Sequence, residues 1–258
     1  LMISCATMDA VTGERVYNMY TLQNDVELGQ QTMQQNVEEM KKSGVPINRD
    51  KAKLHDIEEM VRRLAAVSDL PSLPYTVTLF ETNIVNAAAA PGGSMMVFSG
   101  LYDSKEQLVN DNDEMAAVMA HEIAHVNCRH VTERLTKLLP AAMFTEVLAA
   151  VAEHNDEKDI AYGIRGAFVV GTMLWIPSYT RTDEAAADRV GLFYMAKAGY
   201  DPRAAPRIWK RVADEATKEG KKDKTSIFAT HPSGTDRYNA LMNLLPQAME
   251  EYATATGH

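Results

Sequence analysis

The sequence predicts an α+β protein, mostly helical, with a small β-sheet placed just ahead of a buried helix. Two observations lead there. Nearly everything from Asp111 onward reads as helix, and only Tyr75–Phe80 and Ser94–Phe98 have the β-branched and aromatic character of strands. A hydrophobic fraction of 46% over 258 residues supplies a core, which excludes a disordered chain.

Taken in order, residues 6 to 21 read as an irregular arm. Residues 22 to 42 are polar and helix-favouring, with Val26, Leu28, Met33 and Val37 as sparse apolar positions. Ser43-Gly44-Val45-Pro46 breaks that segment. A second helix is expected over 49 to 66, where Leu54, Ile57, Val61 and Leu64 recur at helical spacing. Pro71 and Pro74 precede the first strand, and Pro91-Gly92-Gly93 suits a hairpin turn before the second. Asp111, with Glu114 three residues later, is a candidate N-terminal cap for the next helix. The organisation expected is an N-terminal arm over 1–21 and one domain over 22–258, with the N-terminal helices packed on it.

Composition narrows the function. A formal net charge of −9 makes a nucleic-acid partner a poor fit, because phosphate binding needs a clustered basic face. Two cysteines, Cys5 and Cys128, are too few for a disulfide framework. The longest apolar run, residues 166 to 176, is too short to cross a bilayer. The sequence begins Leu1-Met2-Ile3-Ser4-Cys5, which resembles the tail of a bacterial lipoprotein signal. On that reading Cys5 carries lipid and the protein works outside the cytoplasm. The alternative is an ordinary cysteine.

The chemistry sits in His121-Glu122-Ile123-Ala124-His125. Residues four apart share a helix face, so two imidazoles can hold one Zn²⁺ and Glu122 beside them can act as general base. Met115, Val118, Met119 and Val126 surround the motif and predict a buried helix. A zinc hydrolase needs a third protein ligand and an open position. His130 lies off the metzincin spacing, so it is expected to support the site from the helix end. The better third ligand is Glu184, with Asp188 four residues later on the same face, placed to accept the free N–H of a ligand histidine. Alanines 185 to 187 would let that helix approach another closely. His231, in Thr230-His231-Pro232-Ser233, can donate to the oxyanion of an acyl intermediate, and Arg237 can do the same or hold its loop by an ion pair.

These three motifs, in this order, resemble the HtpX-like and CAAX-prenyl-endopeptidase-type zinc metalloproteases of peptidase family M48, a gluzincin group with Oma-type and periplasmic lipoprotein members. The resemblance rests on His121–His125 with Arg129-His130, on Glu184–Gly191, and on His231-Pro232-Ser233 with Arg237. It implies one zinc per chain on His121, His125 and Glu184, with support from Asp188. It also implies that His231 either stabilises the intermediate or caps the zinc at rest. The run from Asn86 to Leu101 resembles the family's substrate-side edge strand, which makes Ser94, Met96 and Phe98 the expected substrate-binding positions. The resulting expectation is a metalloendopeptidase of protein or peptide substrates, in envelope quality control in a bacterial periplasm, touching membrane only through a lipid on Cys5. Two alternatives stay open: a zinc hydrolase of another substrate, and a chaperone or assembly factor with a metal-capped, inactive site. A stripe of Pro140, Phe144, Leu148 and Val151 reads as core before it reads as a membrane contact. Oligomeric state has no signal in the sequence.

Overall fold

A computed structural model describes residues 6–8, 11, 13, 15–105, 107–154, 158, 160, 179–219, 231 and 235–257. Among them the fold is mostly helical with a small sheet, as the sequence predicts. Two short strands come first, β1 (Ala6–Met8) and β2 (Arg15–Tyr17), paired antiparallel where an irregular arm was expected. Helix α1 (Leu22–Lys42) starts at a Thr21–Asn24 capping box. Helix α2 (Lys51–Ala66) starts at Asp50, whose side chain accepts from the Lys53 N–H, and buries Leu54, Ile57, Val61 and Leu64.

The sheet has three strands, in the order β3–β5–β4. Strand β3 (Thr76–Phe80) pairs parallel with β5 (Ser94–Phe98), with Thr76 opposite Ser94 and Phe80 opposite Phe98. Strand β4 (Ala87–Ala90) returns antiparallel on the other side of β5 through the Pro91–Gly93 turn. This corrects one expectation. Ser94, Met96 and Phe98 lie on the central strand, whose backbone is used on both sides, so they cannot pair with a substrate. The outer strands are β3 and β4, and β4 is a run of four alanines.

Helix α3 (Asn112–Asn127) carries the His121–His125 motif and sits at the centre of the molecule. It packs on α2, β4, α4 (His130–His154), α5 (Arg181–Lys197) and α6 (Ala204–Glu219), and α5 packs in turn on α7 (Thr235–Thr256). Every residue from Glu114 to Asn127 is buried. A helix buried all round must satisfy its polar side chains internally. Asp111 caps it, accepting from the Glu114 N–H at 2.8 Å.

The second half of α4 departs from expectation. Phe144, Leu148 and Val151 lie on the surface with Met143 and Val147, and do not form core. No helix among the described residues is long and apolar enough to cross a membrane. Residues 166 to 176 and Cys5 lie outside the described residues.

Candidate metal centre

Two helices create the centre by crossing closely. α5 approaches α3 through Ala187 and Gly191, not through all three alanines, since Ala185 is exposed. A β-carbon on Gly191 would stand 2.9 Å from the His121 backbone nitrogen, so only glycine allows this approach. The crossing sets Glu184 and Asp188 of α5 against His121 and His125 of α3. Thr180 caps α5 through a reciprocal box with Asp183, which fixes the turn entering the site.

Four buried donors converge there: His121, His125, Glu184 and His231, each offering one atom, all within 4.8 Å of one another. His121 Nε2 lies 3.0 Å from His125 Nε2 and 3.2 Å from His231 Nδ1. Glu184 Oε1 lies 2.9 Å from His231 Nδ1 and 3.5 Å from His125 Nε2, and Glu184 Oε2 lies 3.5 Å from His121 Nε2. Ligand atoms placed tetrahedrally on zinc at about 2.0–2.1 Å sit roughly 3.3 Å apart, so these spacings fit the ion.

The protonation pattern fits it too. Asp188 Oδ1 lies 3.1 Å from His121 Nδ1, and His130 Nδ1 lies 2.8 Å from His125 Nδ1. With a proton assigned to Nδ1 of His121 by its carboxylate neighbour, Nε2 presents a lone pair to the centre. Nitrogen lone pairs facing one another at 3.0 Å repel unless a proton or a cation lies between them. The ion would be held by His121, His125, Glu184 and His231.

Charge around the centre is heavily coupled. Burial pushes Glu184 up, but His231, His121 and His125 outweigh it and hold the carboxylate well below the usual range. Burial likewise opposes the charge on Asp188, and Arg237 overcomes it. Arg237 forks onto Asp188 with two bonds of 2.7 Å and reaches Glu184 Oε2 at 2.5 Å. Burial lowers His231, yet the Glu184 and Glu122 carboxylates raise it to about 9. His125 moves the other way, pushed well below its ordinary value by burial, which the Glu184 hydrogen bond does not offset. Glu122 Oε1 lies 3.2 Å from His231 Nε2 without the alignment of a hydrogen bond, and both its oxygens are buried.

Two neighbours carried no sequence signal. The Tyr179 ring stacks on His125 with centroids 3.7 Å apart, and lies 5.2 Å from His231. Trp209 is buried between His121, at 5.0 Å, and the Arg237 guanidinium, at 4.0 Å. Tyr179 directly precedes the cap of α5, so the start of the second motif helix was the one available hint. Pro232 and Ser233 lie outside the described residues.

A sequence profile described as peptidase family M48 matches residues 51–245. Among curated proteins, the chain is 31% identical over 200 residues to the mitochondrial metalloendopeptidase OMA1 of Schizosaccharomyces pombe, covering 77% of this chain and 55% of that one. It is 32% identical over 204 residues to a putative beta-barrel assembly-enhancing protease of Vibrio cholerae, covering 77% of this chain and 40% of the relative. It is 33% identical over 190 residues to the mitochondrial metalloendopeptidase OMA1 of Arabidopsis thaliana, covering 73% and 36%. The chain therefore spans between about a third and rather more than half of these relatives.

Proposed function

The chain belongs to peptidase family M48, and from that premise we propose that it is a zinc-dependent metalloendopeptidase cutting peptide bonds within proteins. The carrying observation is the buried set of His121, His125, Glu184 and His231 around one point. When bound there, zinc supplies Lewis acidity toward the scissile carbonyl and the attacking water.

The chain's own groups do the rest. Glu122 takes a proton from the attacking water and returns it to the leaving amine. Asp188 and His130 hold the rings of His121 and His125 in their working orientation. Arg237 balances the Asp188 and Glu184 carboxylates. Tyr179 covers one face of His125 and keeps bulk water off it. An extended substrate would add to the outer edge of β4, whose Ala89 lines a small cavity with His125.

His231 completes a set of four protein donors, the count of a closed site. We read this as a resting arrangement. In the working form His231 turns away and donates to the developing oxyanion. The same closed set favours a second reading, an assembly factor whose protease site stays shut.

We place its work in the bacterial envelope, on the periplasmic side, with envelope proteins as substrates, a reading supported by relatives named beta-barrel assembly-enhancing proteases. Lipid on Cys5 would tether the chain, and loss of membrane association in Cys5→Ser checks it.

Casein hydrolysis by the zinc-loaded chain tests the activity. Chelator should abolish it and zinc restore it, and Glu122→Gln should keep zinc while turnover falls about 10²–10⁴-fold. His231→Phe should depress turnover far more than zinc content. If the native chain holds zinc and does not cut casein, the assembly-factor reading stands and the protease reading falls.

A further inference from the structure

We propose that the N-terminal helix α1 is a working part of the metal centre, and that Arg129 is the positioning residue through which it acts. This rests on the metallopeptidase reading above. It goes beyond it, because the family profile begins at residue 51 and α1 ends at Lys42.

Arg129 stands at the corner between α3 and α4, immediately before His130. Its backbone is left-handed, with φ of 55°. At the end of a helix this conformation is the usual place of glycine, because a β-carbon makes it unfavourable. An arginine there needs a compensating side-chain contact, and it has one. Its Nε and Nη2 fork onto the Asp25 carboxylate at 2.6 and 3.1 Å, and Nη2 also donates to the Tyr20 carbonyl at 2.6 Å. Asp25 belongs to α1 and is 2% exposed. Such a planar, two-bond pair fixes direction as well as distance.

Both ends of this brace reach the site. On one side, the corner that Arg129 holds determines where His130 begins α4, and His130 Nδ1 lies 2.8 Å from His125 Nδ1. The His125 ring is therefore aimed by a residue whose position depends on the clamp. On the other side, α1 touches the turn between β4 and β5 backbone to backbone. A β-carbon on Gly29 would fall 1.8 Å from the Pro91 carbonyl oxygen, and one on Gly92 would fall 2.4 Å from the Val26 α-carbon. Asp25, Arg129, Ala89, Pro91 and His125 line one small cavity, so helix, corner, outer strand and ligand meet there. A second stitch runs alongside: Asn18 donates to Thr132 Oγ1 and the Met19 N–H to Thr136 Oγ1, both at 3.0 Å.

Backbone relief and clamp loss can be separated by substitution. Arg129→Ala loses the fork and keeps the strained corner. Arg129→Gly loses the fork and relaxes it. Arg129→Lys keeps the charge without the planar fork, and Asp25→Asn removes the charge with its shape kept. In the full chain, each is followed by thermal melting without metal, by chelator competition for zinc, and by the visible spectrum of the Co²⁺-loaded protein, which reports ligand geometry. Arg129→Gly should melt above Arg129→Ala. Both should nevertheless show the same altered cobalt spectrum and zinc affinity lowered roughly 10–100-fold, the scale of losing a group that orients a ligand. If either variant fails to fold, Arg129→Lys and Asp25→Asn decide between the outcomes, with a shifted spectrum expected in each. Native cobalt spectra and native zinc affinity in the folded variants, with only the melting temperature changed, would overturn the proposal. Failure of the native chain itself to take up zinc or cobalt would instead overturn the metallopeptidase reading.

Discussion

One helix buries ionisable side chains at two places and treats them in opposite ways. Near the start of α3, Glu114 is 2% exposed, and each of its oxygens is engaged. Arg211 binds it at 2.6 and 3.0 Å, Arg207 reaches it at 3.4 Å, and the Asn110 N–H donates at 2.9 Å. Two turns later His121, Glu122 and His125 are as deeply buried, but their nitrogens face one another and the Glu122 oxygens lack an aligned hydrogen bond. Burying a charge is costly unless partners compensate it. The first place is compensated within the chain and so reads as structure. The second is compensated only in part by Asp188 and His231, a cation between the nitrogens would complete it, and that residual demand marks the functional end of the helix.

Removing a ligand should break this contrast most visibly. Glu184→Ala should lower zinc affinity by more than the roughly 100-fold that loss of an orienting neighbour brings, read by chelator competition. Unchanged affinity would mean that the carboxylate serves only to balance His231 and Arg237. The matching change at the compensated place is Arg211→Met, which leaves Glu114 buried without its main partner. It should cost about 3 kcal/mol of stability, read from denaturant midpoints, with zinc affinity as in the native chain. A loss of zinc there would show that the two places are not independent.

The centre was legible in sequence because its signals are local. His121 with His125, and Glu184 with Asp188, are four apart, and helical geometry alone puts each pair on one face. The Asp111 cap and the two N-terminal helices were readable for the same reason. The features that escape a sequence reading depend on distant contacts or atypical composition. Strand β4 is four alanines, which lack β-branched character, so it does not read as a strand, and Ser94–Phe98, which resembles an edge strand, lies between two partners. Tyr179 meets His125 from a residue 54 positions away, and Arg129 meets Asp25 across 104, and no period encodes either. The α4 stripe of Phe144, Leu148 and Val151 has core-like periodicity yet lies on the surface, because periodicity says which residues share a face and not what covers it.

Acid should sharpen the comparison with the smallest effect. Burial pushes the Glu114 carboxyl up, and the Arg211 hydrogen bond, with the Asn110 N–H and the Arg211 charge, outweighs it and holds it below its ordinary value. A carboxylate held low in the folded chain adds stability in full above the unfolded value, near 4.3, and loses it as pH falls through that value toward the folded one. The native chain should therefore lose more stability than Glu114→Gln between about pH 6 and about pH 3.5. Urea midpoints of the metal-free proteins measure this, since acid would also strip zinc by protonating its ligands. The metal centre titrates in both proteins, so the difference between their losses isolates Glu114. Equal losses would mean that Arg211 does not hold the carboxylate low, and that the start of α3 is stabilised by packing rather than by its charges.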